Sequence, residues 1–502
     1  MTSSDKSISE IQQFFKGTNV FVTGATGFIG HVLVEKILRT CLVNKVYLLV
    51  RSKRNKDPQT RLREMFSSTL FSRLREEQPD FIEKVLLITG DCEEPNLGLS
   101  VADEEFMVAN MDIVIHCAAT INLNGPLKHT SFINVRSTKD LLFIARRMHR
   151  LKSFVYVSTA FSNPNQPITE EKIYDCHIQG DALINMVENM SDSLLNSITP
   201  ECLGSWPNTY TLSKCIAENI VKQYGQNMPI CITRPCIVMF TNEEPISGWA
   251  NTMKSVPGLS IGLGLGAIHV VQADPNIRTM IIPADNVANM IITAAHYASK
   301  TRSKPIIPVF NYVPHHMAPL LTYGQSIKMI MDNILEKKLF SEKELWKPNV
   351  VIAKSKVLFN ILFFIFHYLP AYLVDCCFWI VGKKPRATKI YKKVKIMMDD
   401  MRYFGTTDFK FDDRNLKALI SSQSDEDKQL FNFDITNIKW DEYFLKSIYG
   451  IKKYILKDSD DLTVGRRRHQ KIMVVYYVFS TIIYGCLLYL SYLLLKIVFP
   501  KN

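Results

Sequence analysis

Two hydrophobic rhythms run through the first half of the chain. Short, β-rich apolar runs at Asn19–Thr23, Lys45–Val50, Val85–Thr89, Ile113–His116 and Phe154–Val157 are separated by stretches with helical spacing, such as HVLVEKILRT and CIAENIVKQY. Strands alternating with helices predict a parallel sheet covered on both faces, an α/β doubly wound architecture. Later the strand rhythm gives way to a mostly helical C-terminal region. Ile472 to Leu495 is 24 residues without a charge. At about 1.5 Å per residue it is long enough to cross a hydrocarbon core of roughly 30 Å, so a transmembrane helix is expected there. Its five tyrosines suit interfacial positions, and Arg466, Arg467, Arg468 and Lys471 stand directly before it. Basic residues mark the cytosolic flank, so the bulk of the chain is expected in the cytosol with seven residues beyond the span. A second apolar stretch, Val357 to Val381, is interrupted by Asn360, His367, Pro370 and Asp375. An intramembrane Asp without a partner is costly. A span, a re-entrant or interfacial hairpin and a core helix pair all remain open for it.

Composition narrows the class. At 47% hydrophobic and 22% charged, the 502 residues are neither disordered nor fibrous, and their length suggests two or three domains. The net charge of +12 is unevenly placed: residues 1–300 carry 28 basic and 29 acidic residues, residues 301–502 carry 32 and 19. The excess lies beside the apolar segments, with Lys354 and Lys356 before the second one and Lys383, Lys384, Arg386, Lys389, Lys392, Lys393 and Lys395 after it. Such clusters suit anionic lipid head groups. Nucleic acid would require aromatic or helix-turn-helix context, and none accompanies these charges. The eleven cysteines form no CxxC pair and Cys376-Cys377 has no counterpart, so reduced thiols and no metal site are expected. The N-terminus lacks an apolar run behind a basic start, so no secretory signal is expected.

The first strand ends in a glycine turn, Gly24-Ala-Thr-Gly27-Phe-Ile-Gly30, and a helical pattern follows. That context makes a dinucleotide-binding, Rossmann-type reading strong. Gly24 permits the tight turn, Gly27 lets the backbone approach a pyrophosphate, and Gly30 lets helix and strand pack closely. Thr23, Thr26, Phe28 and Ile29 complete the turn as candidate cofactor contacts. The second strand ends in Arg51-Ser-Lys53-Arg54, 21 residues after Gly30. A carboxylate there would bind the ribose hydroxyl of NAD, whereas a guanidinium favours the 2′-phosphate, so NADPH is the expected cofactor.

Tyr210-Thr-Leu-Ser-Lys214 opens a helical run, and an i, i+4 spacing places phenol and ammonium on one face. A cation beside the phenol is expected to lower its pKa, so that it can pass a proton to a carbonyl oxygen as hydride arrives. The strand before it ends in Ser158-Thr159, whose hydroxyls can hold the same oxygen from the other side.

TGATGFIG, HCAA, VYVSTAFSN and YTLSK resemble the extended short-chain dehydrogenase/reductase family. PNIRTMIIPADNVANMIITAA, HYLPAYLVD, FDITNIKWDEYF and GIKKYILKD resemble, more narrowly, the animal (insect-type) fatty acyl-CoA reductases, over nearly the whole chain. The resemblance implies a catalytic domain over 1–300, a remainder of the substrate region or linker over 301–355, the family's C-terminal domain over 356–465 and an anchor at 472–495. It implies that Asp91 and Cys92 approach the adenine, that Ala118 and Ala119 line the nicotinamide ribose, and that Pro235, Ile237 and Val238 border the nicotinamide. Tyr210 would be the proton donor, Lys214 would lower its pKa and bind ribose, and Thr159 would take the Ser/Thr position with Ser158 as the alternative. IPADNV replaces the usual IPVDxV, and Phe161 stands where Tyr is common.

The activity implied is reduction of a long-chain acyl-CoA to a primary alcohol through an aldehyde, with two hydrides from NADPH. The stretch around 357–381 is a candidate for acyl-chain access. The membrane implied is that of the endoplasmic reticulum, with the peroxisome as alternative, and a homodimer is compatible with the sequence. Three other readings compete: a membrane-bound sterol or hydroxysteroid dehydrogenase, a non-catalytic membrane scaffold and a nucleic-acid binder. Arg51 argues against the first, the intact Tyr210, Lys214 and glycines against the second, and the placement of the charges against the third.

Overall fold

The computed structural model describes residues 9–53, 55–253, 255–300, 306–314 and 321–498. Arg54 of the basic cluster and the first eight residues lie outside the described residues, as do the side chains of Leu494 and Leu495 at the end of the predicted span. The chain divides into two compact units: Met1–Trp249, Arg278–Leu320 and Asp408–Ile438 form the first, and Ala250–Ile277, Leu321–Thr407 and Lys439–Asn502 the second. The division is not linear, because backbone pairing and buried side chains, rather than sequence proximity, decide which segments belong together.

The first unit is built on a seven-stranded, wholly parallel sheet. Its strands are β1 (Asn19–Thr23), β2 (Lys45–Val50), β3 (Val85–Thr89), β4 (Ile113–His116), β5 (Ser153–Val157), β6 (Ile230–Pro235) and an edge strand, Val309–Tyr312. Their order is edge strand, β6, β5, β4, β1, β2, β3. The central β1 pairs β2 on one side (Val20 opposite Val46) and β4 on the other (Val20 opposite Ile113). The winding reverses there, which opens a crevice at the carboxyl ends of β1 and β4. β1, β4, β5 and β6 are buried along their whole length, as parallel strands covered on both faces must be. β3, at the other edge, is mostly uncovered.

The helix Thr209–Tyr224 is fixed to the sheet by a buried ion pair. Arg234, on β6, donates from Nε and Nη2 to the two carboxylate oxygens of Glu218 at 2.9 and 2.6 Å, and both side chains are at most 1% exposed. The rest of the guanidinium donates to the carbonyls of Glu170 and Lys172 at 3.1 and 2.8 Å, and Ser158, just beyond β5, donates to the same Glu218 carboxylate. Asp408–Ile438 closes the edge of the sheet. Asn311 donates to the Asp412 carbonyl at 2.8 Å, the Tyr312 hydroxyl to the Phe433 carbonyl at 2.7 Å, and the Thr169 amide to the Lys410 carbonyl at 2.9 Å.

The second unit has a small parallel pair, Val270–Gln272 with Val351–Ala353, covered by helices. Phe359 and Phe363 of the apolar stretch are buried there with Leu263, Val270, Ala353 and Met398. The stretch forms a helix from Lys356 to Ile380, widened by a π-turn at Phe364–Tyr368. Its two costly residues are both held by backbone amides, although Nδ1 of His367 is buried without a hydrogen-bond partner among the described residues. His367 accepts from the His269 amide at 3.0 Å, and Asp375 accepts from the amides of Arg386, Ala387 and Thr388 at 2.8, 2.8 and 2.9 Å. The helix Leu462–Val498 carries the C-terminal run, and its basic foot is held by Arg468 donating to the Glu344 carbonyl at 3.1 Å. Lys356–Ile380 and Leu462–Leu493 are each long and apolar enough to cross a membrane.

Truncating one side of a buried pair leaves an uncompensated charge, at a cost of about 3–5 kcal/mol. Arg234→Met is therefore expected to lower stability by that order, read from denaturant unfolding of the detergent-solubilised protein, and Arg234→Met with Glu218→Leu to recover much of the loss.

Candidate active site

At the end of β1 the chain is compressed. Gly24 has φ +74°, and a Cβ there would lie 2.6 Å from the Ala118 amide nitrogen; a Cβ on Gly30 would lie 2.2 Å from the Gly24 carbonyl oxygen. Only glycine fits either position. Thr23 braces this contact: its hydroxyl accepts from the Ala118 amide at 3.2 Å and lies 2.7 Å from Nδ1 of His116. Burial holds His116 neutral, its pKa pushed down to about 3. Gly27, by contrast, is exposed, and the helix Phe28–Thr40 begins there without a side-chain cap. The first-turn N–H groups are thus free to meet an anion. Phe28 stacks on Trp249 with centroids 5.9 Å apart, and Ile29 is half-buried.

Beside the turn, Arg51 donates to Asp91 at 3.0 Å and lies 3.7 Å from Glu93. Asp91 is therefore occupied by Arg51 and by the Glu93 amide, at 3.0 Å. Cys92 is buried, its thiol pushed up to about 12 by that burial, which makes it unreactive. A second guanidinium comes from a residue that the sequence reading missed. Arg61 donates to the Arg51 carbonyl at 2.6 Å and to the Thr26 hydroxyl at 2.7 Å. Burial, then the charge of Arg51, lowers its pKa. A glycine turn exposed at Gly27, free helix amides and two arginines fit the phosphates of a dinucleotide.

Ala118 and Ala119 follow β4, half-buried against the turn. Asn134 holds the loop that carries them: its amide oxygen accepts from the Thr120 amide at 2.9 Å and its nitrogen donates to the Ser213 hydroxyl at 2.9 Å. It lies in a π-helical turn, Phe132–Arg136, and links the loop to the helix of Tyr210. Sequence reading missed it too; an Asn before Val-Arg-Ser-Thr carries no local signal of that reach.

Tyr210 occupies the first turn of its helix, where the Asn208 side chain caps Thr211 at 2.9 Å. Burial pushes the pKa of the phenol up to about 12, with the nearby Thr159 hydroxyl opposing. The expected lowering by Lys214 is absent. Lys214 Nζ instead donates to the Val157 carbonyl at 2.8 Å and sits 4.4 Å above the Tyr156 ring. Burial lowers its own pKa to about 8, with Glu218 opposing. The hydroxyls of Ser158 and Thr159 are also separated by geometry. Ser158 turns inward to Glu218, while Thr159 meets Tyr210 and lies 3.5 Å from the Pro235 carbonyl. Beyond Pro235, Ile237 and Val238 form a short, half-buried strand, its Ile237 amide donating to Met280 at 3.0 Å. The site thus brings a proton-bearing phenol, a hydroxyl and a titratable ammonium to the carboxyl edge of the sheet. Among the described residues no cluster of three His, Cys, Asp or Glu could hold a metal.

The sheet order and the glycine turn together define a dinucleotide-binding domain of Rossmann type. Comparison with known proteins narrows this. A NAD-binding family model described as "Male sterility protein" matches residues 22–291, and a second model of the same description matches 366–458. Fatty acyl-CoA reductase wat of Drosophila melanogaster is 33% identical, over 99% of this chain and 96% of its own. Fatty acyl-CoA reductase 1 of Xenopus laevis and of Homo sapiens are 36% and 34% identical, each over 94% of this chain and 92% of theirs. The chain belongs to the fatty acyl-CoA reductase family. Among solved structures, the terminal R domain of the myxalamid PKS-NRPS pathway has a TM-score of 0.57 at 17% identity, covering 87% of this chain and 90% of its own. The reductase domain of a nonribosomal peptide synthetase from Mycobacterium tuberculosis has a TM-score of 0.57 at 18%, covering 87% and 91%. These two share the fold.

Two outcomes follow from the geometry. Thr159→Val is expected to lower kcat by about 10²–10³, the usual cost of removing one oxyanion donor, whereas Ser158→Ala is expected to lower stability and leave kcat within a few-fold; steady-state kinetics beside thermal unfolding separate them. Lys214 loses its proton as pH rises through about 8, while Tyr210, near 12, keeps its own. The alkaline limb of kcat/KM is thus expected near pH 8, and Lys214→Arg, which stays charged, is expected to move it upward.

Proposed function

We propose that the chain reduces a long-chain fatty acyl-CoA to a primary alcohol with NADPH, through an aldehyde. The observation that carries the reading is the buried Tyr210 phenol with the Thr159 hydroxyl near it and Lys214 one turn along the same helix, at the carboxyl edge of the sheet in a chain of this family. The bound nicotinamide supplies the hydride in each of two reductions. Tyr210 and Thr159 hold the carbonyl oxygen of the thioester as negative charge develops on it. The resulting hemithioacetal oxyanion collapses to the aldehyde and expels CoA as its thiolate. Tyr210 then donates its proton to the oxygen of the second reduction, and Lys214, charged below about pH 8, stabilises the phenolate left behind. Arg51 and Arg61 support NADPH over NADH, as two guanidinium groups beside the turn suit a 2′-phosphate. Ala118, Ala119, Pro235, Ile237 and Val238 would border the nicotinamide end, and Gly24, Gly27 and Gly30 the pyrophosphate.

A membrane-soluble acyl chain suits an enzyme anchored by Ile472–Leu495 with its catalytic unit in the cytosol, at the endoplasmic reticulum or the peroxisome. The test uses membranes carrying the full chain, acyl-CoAs of graded length, and NADPH or NADH, with aldehyde and alcohol both measured. Alcohol is expected with NADPH in preference to NADH. Tyr210→Phe is expected to lose about 10²–10⁴ of its turnover while NADPH binding stays nearly unchanged; retained turnover would overturn the assignment.

A further inference from the structure

The helix Lys356–Ile380 has two unlike faces. Phe359, Phe363, His367, Ala371 and Asp375, at a constant spacing of four, are buried. On a straight α-helix such a series drifts by about 40° per step, and the wide π-turn at Phe364–Tyr368 takes up part of that drift. The rest of the helix surface presents Val357, Ile361, Phe364, Leu369 and Leu373 to the outside, joined at the helix end by Trp379, with Val357 68% and Trp379 74% exposed. A soluble unit does not leave such a face uncovered without a partner.

The polar residues decide what that partner is. A span would carry His367 and Asp375 to bilayer depth, yet both are held by protein groups on the buried face, and Phe359 and Phe363 are packed in the core of the unit. The helix is therefore bound to its unit along one side and free along the other. Immediately after it stand Lys383, Lys384, Arg386, Lys389, Lys392 and Lys393, all exposed and without an ion pair among the described residues; Lys395 alone is paired, with Asp399 at 2.6 Å. An apolar face continued by unpaired cations matches the boundary between acyl chains and anionic head groups.

We propose that Lys356–Ile380 lies in the plane of the bilayer as a monotopic contact, its outer face among the acyl chains and the cluster Lys383–Lys393 on anionic head groups. The inference rests on the membrane-bound reading above, and adds a second, non-spanning attachment to the C-terminal helix.

The test uses the full chain in phosphatidylcholine vesicles, with and without phosphatidylserine, containing lipids brominated near the head group or near the midplane. Trp379 is the first reporter, with Trp379→Phe giving the background from the other tryptophans. Phe366→Trp in the Trp379→Phe background places a second reporter on the exposed face at mid-helix. Both reporters are expected to lose more fluorescence to shallow bromines than to deep ones. Phosphatidylserine is expected to increase the loss, and Lys389→Glu with Lys392→Glu and Lys393→Glu to abolish that increase. Quenching of the mid-helix reporter chiefly by deep bromines would mean a span and overturn the proposal. Quenching of neither reporter would mean that protein covers the face, and would overturn it equally. Release of the chain by alkaline carbonate would sink the anchor reading instead, while the quenching pattern still decides this one.

Discussion

The Glu218–Arg234 pair is the constraint on which the catalytic geometry depends. One carboxylate ties together the helix of Tyr210 and Lys214, strand β6 and the Ser158 hydroxyl at the end of β5. Ser158, once turned inward, leaves its neighbour Thr159 facing the phenol. Lys214 lies one helical turn from Glu218 and reaches back to the Val157 carbonyl, so the same knot sets where the ammonium can sit. A buried pair of this kind contributes little net stability when complete. Its contribution here is register: slipping the helix by one residue would strand two charges in the core.

Burial is also what sets the proton chemistry. Tyr210 rises and Lys214 falls for the same reason, since desolvation penalises the charged form of each. The two shifts move phenol and ammonium apart in acidity, to about 12 and about 8, and neither group is the main cause of the other's shift. The ammonium is the group poised to titrate near physiological pH, and Glu218 keeps it from falling further.

The parts legible from sequence are those in which the physics is local. The first four strands match their apolar runs, because a short β-rich segment bounded by turns needs nothing distant to declare itself, and the glycine turn is legible because its backbone alone demands those residues. Tyr210 and Lys214 follow from helical spacing. Arg61, Asn134 and the edge strand Val309–Tyr312 were not legible, since each acquires its place only by packing: Arg61 through the Arg51 carbonyl, Asn134 by bridging loop and helix, the edge strand by pairing with β6. The division between Ser158 and Thr159 likewise needed Glu218, 60 residues further on. The rise in Tyr210 pKa went against expectation because spacing reports proximity along a helix, whereas acidity reports solvent.

The interleaved chain has a consequence for how the protein is made. The edge of the catalytic sheet is closed by Asp408–Ile438, the last segment of that unit to be synthesised. At about 5–20 residues per second, the sheet waits many seconds after β6 for its final cover, and the apolar segment 357–381 emerges during that wait. The newborn chain therefore meets water with both its open sheet edge and its apolar helix unshielded, and its most vulnerable period falls before the C-terminal helix Leu462–Val498 has been made.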